Sequence, residues 1–217
     1  STGASAFFVV VYLHMFRGLM YGSYQKPREL IWIFGMTIYL ILMAEGFMGY
    51  VLPWGQMSYW GANVIVSLAG AIPFVGEDLM VWIQGDYLIS GATLNRFFAL
   101  HVIALPLVLV GLVVLHILAL HEVGSNNPDG IEIKLNKDAN GVPLDGIPFH
   151  PYYTVHDLVG IVVFLVVFTF VIFFMPEMGG YFLEYANFEQ ANNLKTPEHI
   201  APVWYFTPFY SMLRAVT

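Results

Sequence analysis

The sequence predicts an all-α protein: a polytopic bundle of transmembrane helices, with short interfacial helices in its long outer loops. Two observations carry this. Of the 217 residues, 58% are hydrophobic and only 11% charged, and the mean hydropathy is +0.69, far from the balance of a soluble domain. Four stretches are also apolar over about 20 residues, the length an α-helix needs to cross a bilayer.

The first span covers residues 4–21 and is interrupted by His14 and Arg17. A polar turn with Lys26, Pro27 and Arg28 leads to the second span, residues 29–52, which stops at Pro53. Residues 54–95 are too punctuated by Gly and Pro for a span and too hydrophobic for a solvated loop. They read as helices lying at the membrane surface. The third span, residues 98–120, carries no ionisable side chain except His101 and His116. A turn-rich polar loop follows. The fourth span, residues 155–175, ends at Pro176, and residues 177–208 form a second interfacial region. Phe209 to Val216 reads as the start of another helix. The whole is one transmembrane domain, 1–217, read as part of a longer chain because it opens at Ser1 with neither an initiator Met nor a signal pattern.

Arg17, Lys26, Arg28, Lys134 and Lys137 fall on one side of this arrangement, which makes that side cytoplasmic. The net charge of −7 offers no basic patch for nucleic acid. The absence of cysteine excludes disulfides, thiolate chemistry and iron–sulfur ligation by this chain.

An ionisable residue inside a span is costly and by default functional. His101 and His116 lie fifteen residues apart, a rise of roughly 22 Å that returns to within roughly 60° of the same helix face. One imidazole thus sits towards each membrane face, an arrangement suited to two stacked metal centres; two core histidines bonded to neighbouring helices would also satisfy it. His14, on the antiparallel first span, lies at the depth of His116. A matching partner for His101 would fall about fourteen residues before His14, off the start of the chain. Gly35 and Gly49 repeat nearly the same step, fourteen residues apart. Glycine costs about 1 kcal/mol in a helix, so the pair points to something flat against the backbone, or to ordinary small-residue packing. Together the two patterns favour two stacked haems, each held between two imidazoles.

The stretches GASAFFVVVYLHMFRGLMYGSY, GFMGYVLPWGQMSYWGA, TLNRFFALH, LHEVGSNNPDG, IPFHPYYTVHD and HIAPVWYFTPFY resemble cytochrome b of the respiratory cytochrome bc complex (ubiquinol–cytochrome c reductase), in its proteobacterial form. The likeness covers essentially this whole chain but only the middle of the family's protein. It implies a dihaem subunit that oxidises quinol at an outer site and reduces quinone at an inner one, running a proton-translocating Q-cycle. His14 and His116 match the ligands of the high-potential haem, and His101 matches one ligand of the low-potential haem. Gly35 and Gly49 match haem-facing glycines, and Arg17 a basic residue near a propionate. The outer quinol site resembles one built from Phe47, Met57, Gly61, Ile65, Pro202, Val203, Trp204, Tyr205 and Tyr210, and the inner quinone site one built from His121, Ser125 and Asp157. The partners implied are a Rieske iron–sulfur subunit, a cytochrome c-type subunit and a second copy in a homodimer. The location implied is the bacterial cytoplasmic membrane.

Three departures follow from the same comparison. Val203 stands where the family usually has a glutamate that takes a proton from quinol, and valine can carry none. Glu198, His199 or Tyr210 is the expected substitute. His156 replaces a lysine common before the aspartate. The fifteen-residue step between His101 and His116 is one longer than in many respiratory relatives, so a π-type irregularity is expected between them. Rival readings are a dihaem quinone-reactive anchor of a dehydrogenase and, in a different class, a transporter with histidine proton relays.

Overall fold

The computed structural model describes residues 1–216, and among them no strand forms. The helices are α1 (Thr2–Met20), α2 (Glu29–Val51), α3 (Gln56–Gly70), α4 (Gly76–Gln84), α5 (Gly91–Ala99), α6 (Leu105–Val123), α7 (Tyr152–Phe174) and α8 (Thr207–Val216). Among the described residues four continuous helical stretches are long and apolar enough to cross a membrane: α1, α2, Gly91–Val123 and α7.

The third of these is α5 and α6 joined without a break by a π-helical turn, Leu100–Ala104. The irregularity expected from the long histidine step therefore falls at His101 itself and the residues just after it. The span also begins earlier than the hydropathy suggests, because its first turn is polar but capped. The Ser90 hydroxyl accepts from the Ala92 amide at 3.3 Å, and the Thr93 hydroxyl from the Ser90 amide at 3.0 Å, a reciprocal N-terminal cap. Thr93 is fully buried and donates to the Gln84 carbonyl at 2.7 Å. This cap turns the last residues of the expected interfacial region into the start of a span.

α2 packs chiefly against α6, while α7 buries none of its residues. Its ring of exposed Phe, Val and Ile side chains is that of a helix meant for an apolar surround. Burial concentrates at the other end of α2. One cluster joins Val51, Tyr59, Ala62, Val66, Ile89 and Phe97, from α2, α3, α5 and the loop before α5. A second joins Phe8 of α1 to Val203 and Tyr205. Phe8 stacks on Tyr205 with ring centroids 4.0 Å apart and planes 7° from parallel.

The PWGQMSYW stretch is a latch. The buried Gln56 donates to the Lys195 carbonyl at 2.9 Å and accepts from the Asn192 amide at 2.8 Å. The buried Ser58 donates its hydroxyl to the Tyr50 carbonyl at 2.6 Å and its amide to Asn187 Oδ1 at 2.8 Å. The buried Gln56 and Ser58 are thus both satisfied, so α3 and the 187–195 segment are held as one piece, while Trp60 Nε1 in the same stretch is buried without a partner. That segment is irregular, and no α-helix forms between α7 and α8.

Candidate haem and quinone sites

Two histidine levels occupy the α1–α2–α6 side of the bundle. At the first, His14 of α1 and His116 of α6 have ring centroids 6.3 Å apart. That spacing fits one metal ion shared by two imidazoles, with two bonds of about 2 Å and half a ring on each side. His116 Nδ1 is buried, with the Ile31 main chain nearby but no hydrogen bond of sound geometry. Gly35 of α2 lies against this ring: a Cβ there would sit 3.3 Å from Cε1 of His116.

At the second level, Gly49 lies still closer to His101, and a Cβ would fall 2.6 Å from its Cε1. His101 Nδ1 is 3.0 Å from the Glu45 carboxylate and 3.1 Å from the Glu45 carbonyl oxygen. The flat groups that the paired glycines admit are thus the imidazoles themselves. The donor set, neutral nitrogen ligands at two depths with a buried unsatisfied ring nitrogen at one, fits b-type haem. No group of three or more His, Cys, Asp or Glu able to hold a bare ion occurs among the described residues. Arg17 is exposed, its guanidinium 5.3 Å from the Tyr21 ring centre.

The candidate quinol-site residues divide between the two buried clusters. Phe47 packs with the first, its ring centroid 5.6 Å from that of Phe97; Met57 is buried on α3. Gly61 faces open space, and Ile65 is half-buried. Val203 and Tyr205 belong to the second cluster, with Trp204 packed against it and donating to the Ser5 hydroxyl at 2.9 Å. Pro202 is half-buried next to Val203. Tyr210 is half-buried under Arg214, 5.8 Å from guanidinium carbon to ring centre. Glu198 and His199 are exposed and make no hydrogen bond or ion pair among the described residues.

A different carboxyl lies behind the motif. Glu184 accepts a hydrogen bond from the Tyr50 hydroxyl. Burial raises its pKa above the ordinary carboxylate range, against the effect of that bond. Tyr205 is pushed up to about 12, by burial first and by Glu184 second.

At the opposite end, His121 and Ser125 are exposed at the end of α6 and just beyond it, and Asp157 is exposed on α7. No hydrogen bond links Asp157 to the other two among the described residues. The fixed element nearby is Arg28. It is buried, pairs with Glu132 at 2.5 Å, and donates to the carbonyls of Gly124 at 3.1 Å and Ser125 at 3.4 Å. His150 stays in the loop, its Nδ1 3.3 Å from the Thr154 hydroxyl.

Sequence reasoning missed Glu45, Glu184 and Arg28. Glu45 was legible as a lone acid inside a span. Glu184 was not, because Tyr50 is distant in sequence.

The fold and its two histidine levels define a polytopic membrane helix bundle that carries imidazoles between its spans. The family comparisons say the same. The family described as cytochrome b (N-terminal)/b6/petB matches residues 5–184, and that described as cytochrome b (C-terminal)/b6/petD matches 190–217. The chain belongs to the cytochrome b/b6 family, is an integral membrane protein, and by that membership binds b-type haem. It is 68% identical over 220 residues to the cytochrome b of Allochromatium vinosum, covering 100% of this chain and 53% of that one. Identity is 55% to that of Rickettsia prowazekii, covering 100% and 52%, and 52% to that of Cereibacter sphaeroides, covering 100% and 48%. The chain thus spans about half the length of these curated relatives. A solved hyperthermophilic respiratory Complex III contains a chain of the same fold, with TM-score 0.85 and 40% identity over 99% of this chain and 55% of that one.

Proposed function

We propose that this chain is the haem-carrying part of the membrane subunit of a quinol–cytochrome c oxidoreductase, a translocase of the bacterial cytoplasmic membrane. Ubiquinol is oxidised near the outer face and quinone reduced near the inner face, in a proton-translocating Q-cycle. The observation that carries the reading is the 6.3 Å approach of the His14 and His116 rings, with Gly35 beneath one of them and the Gly49–His101 contact repeating that relation on the same two helices.

His14 and His116 would hold one b-type haem. His101 would hold a second with a ligand from outside this chain. Haem supplies reversible one-electron transfer across a bilayer that small ions cannot cross. The glycines let the imidazoles seat against α2. The residues around Phe47, Met57, Val203 and Tyr205 form the apolar wall that a quinol ring needs. Beside them Glu198, His199 or Tyr210 accepts the proton that Val203 cannot. His121, Ser125 and Asp157 bracket the inner quinone, the histidine and carboxylate serving as its proton donors. A Rieske iron–sulfur subunit takes one electron of each quinol, since this cysteine-free chain has no thiolate to hold such a cluster. A cytochrome c-type subunit and a second copy complete the complex.

The test is a haem count with a reduced-minus-oxidised spectrum on the native-length subunit in its complex. Two b-type haems are expected, with one lost in His116→Leu and the other retained. No haem at native length overturns the reading. Glu198→Gln then reports on the outer proton acceptor: unchanged quinol oxidation and pH dependence assigns the role to His199 or Tyr210.

A further inference from the structure

We propose that Glu45 is the positioning residue of His101, and that it makes the two imidazole levels electronically unequal. This inference rests on the dihaem reading above. Glu45 lies six residues inside the end of α2, about 9 Å along the helix. A carboxylate at that depth is expensive and persists where it has a partner. The basic side chains within salt-bridge distance of a carboxylate among the described residues are Arg28, on Glu132, and His101, on Glu45, so the partner of Glu45 is a histidine and not a lysine or arginine.

The geometry sets what the pair does. His101 Nδ1 has two acceptors from one residue, the carboxylate at 3.0 Å and the main-chain carbonyl at 3.1 Å. Both call for a proton on Nδ1, which leaves Nε2 with the free lone pair. A carboxylate behind a ligating imidazole fixes its ring and raises its basicity. A more basic ligand favours the oxidised metal and lowers its potential, outer hydrogen bonding being one of the levers a protein has on haem. His116 has no such device: its Nδ1 is buried, without a carboxylate and without a sound hydrogen bond. The level at His101 is therefore the low-potential one because of Glu45, a residue of the chain and not of the cofactor. The second carboxylate oxygen, Oε2, is buried with no partner, so the side chain is held from one side only and its hold on His101 is its one polar contact among the described residues.

The test uses the assembled native-length complex with Glu45→Gln and Glu45→Leu, both of which keep the main-chain carbonyl. Redox titration of the two haems is read by optical spectrum, with haem content as the structural control. The expected result is an upward shift of the low-potential haem, at least as large for Leu as for Gln, with the high-potential haem unmoved. Both haems retained with neither potential shifted overturns the inference, as does an equal shift of both. If Glu45→Leu loses the haem at His101, the Glu45→Gln titration alone decides. A wild-type complex without haem sinks the dihaem reading instead, before any substitution is made.

Discussion

Gly49 and His101 touch so closely that no other residue fits at position 49: a Cβ would stand 2.6 Å from Cε1 and 3.1 Å from Nε2 of the ring. The corresponding contact of Gly35 with His116 is 3.3 Å, which a small shift of the ring accommodates. The two glycines therefore differ in tolerance. Gly49→Ala is expected to displace His101 and abolish most of the binding of its haem. Gly35→Ala is expected to keep both haems with a modest loss of affinity. Haem content per subunit by difference spectroscopy checks the order; equal tolerance at both positions would contradict the geometry.

The histidine and glycine steps were readable because helix periodicity turns sequence spacing into depth and face. The π-turn, found at Leu100–Ala104, was expected because the histidine step is one residue longer than in many respiratory relatives. The outer region was less legible. Gln56, Ser58 and Gly55 take their roles from Asn187, Asn192 and Lys195, far along the chain, and no periodicity announces that pairing. Sequence proximity to Val203 singled out Glu198, which is exposed, whereas the half-buried carboxyl near Tyr205 is Glu184. The start of the third span was masked for a local reason: a hydropathy window sees Thr93, Asn95 and Arg96, while the cap at Ser90 decides.

Gly55 is the tightest point of the latch, since a Cβ there would overlap the carbonyl and side-chain oxygens of Asn187. The side-chain oxygen cannot retreat without breaking its bonds to Ser58. Gly55→Ala is expected to cost more than about 2 kcal/mol, in the range of strain at a special backbone site. Gly61→Ala, where nothing lies within 4 Å, gains helix propensity and is expected to be neutral or slightly stabilising. Thermal unfolding of the two variants in detergent measures the contrast.

Arg28 ties the start of α2 to the 124–132 loop, and its hydrogen bond holds the Glu132 carboxyl below the usual range. A depressed folded pKa gives stability that is present above the unfolded value, about 4.3, and lost as pH falls through the folded value. The Arg28–Glu132 contribution is thus intact at neutral pH and disappears in acid. Arg28→Met is expected to cost about 1–3 kcal/mol at pH 7, the scale of hydrogen bonds to charged groups, and less once Glu132 is protonated, when only the bonds to the Gly124 and Ser125 carbonyls are lost. A penalty that is the same before and after Glu132 is protonated would show that the carbonyl bonds and packing of Arg28, not the pair with Glu132, hold the loop.

Glu184 has the opposite sign. Burial raises its carboxyl, with the Tyr50 hydrogen bond opposing. A carboxyl whose folded pKa lies above its unfolded one adds stability below the unfolded value, about 4.3, and loses it as pH climbs through the folded value. Glu184→Gln keeps an acceptor for the Tyr50 hydroxyl and never ionises. Its melting temperature relative to wild type is therefore expected to rise from acid towards neutral pH. Glu184→Leu leaves the Tyr50 hydroxyl without its acceptor and is expected to cost about 1–3 kcal/mol relative to Glu184→Gln at every pH. If Glu184→Gln instead tracks wild type from pH of about 4 to 8, the carboxyl is solvated in the membrane-bound protein, and Tyr205 loses one of the two causes that push it up.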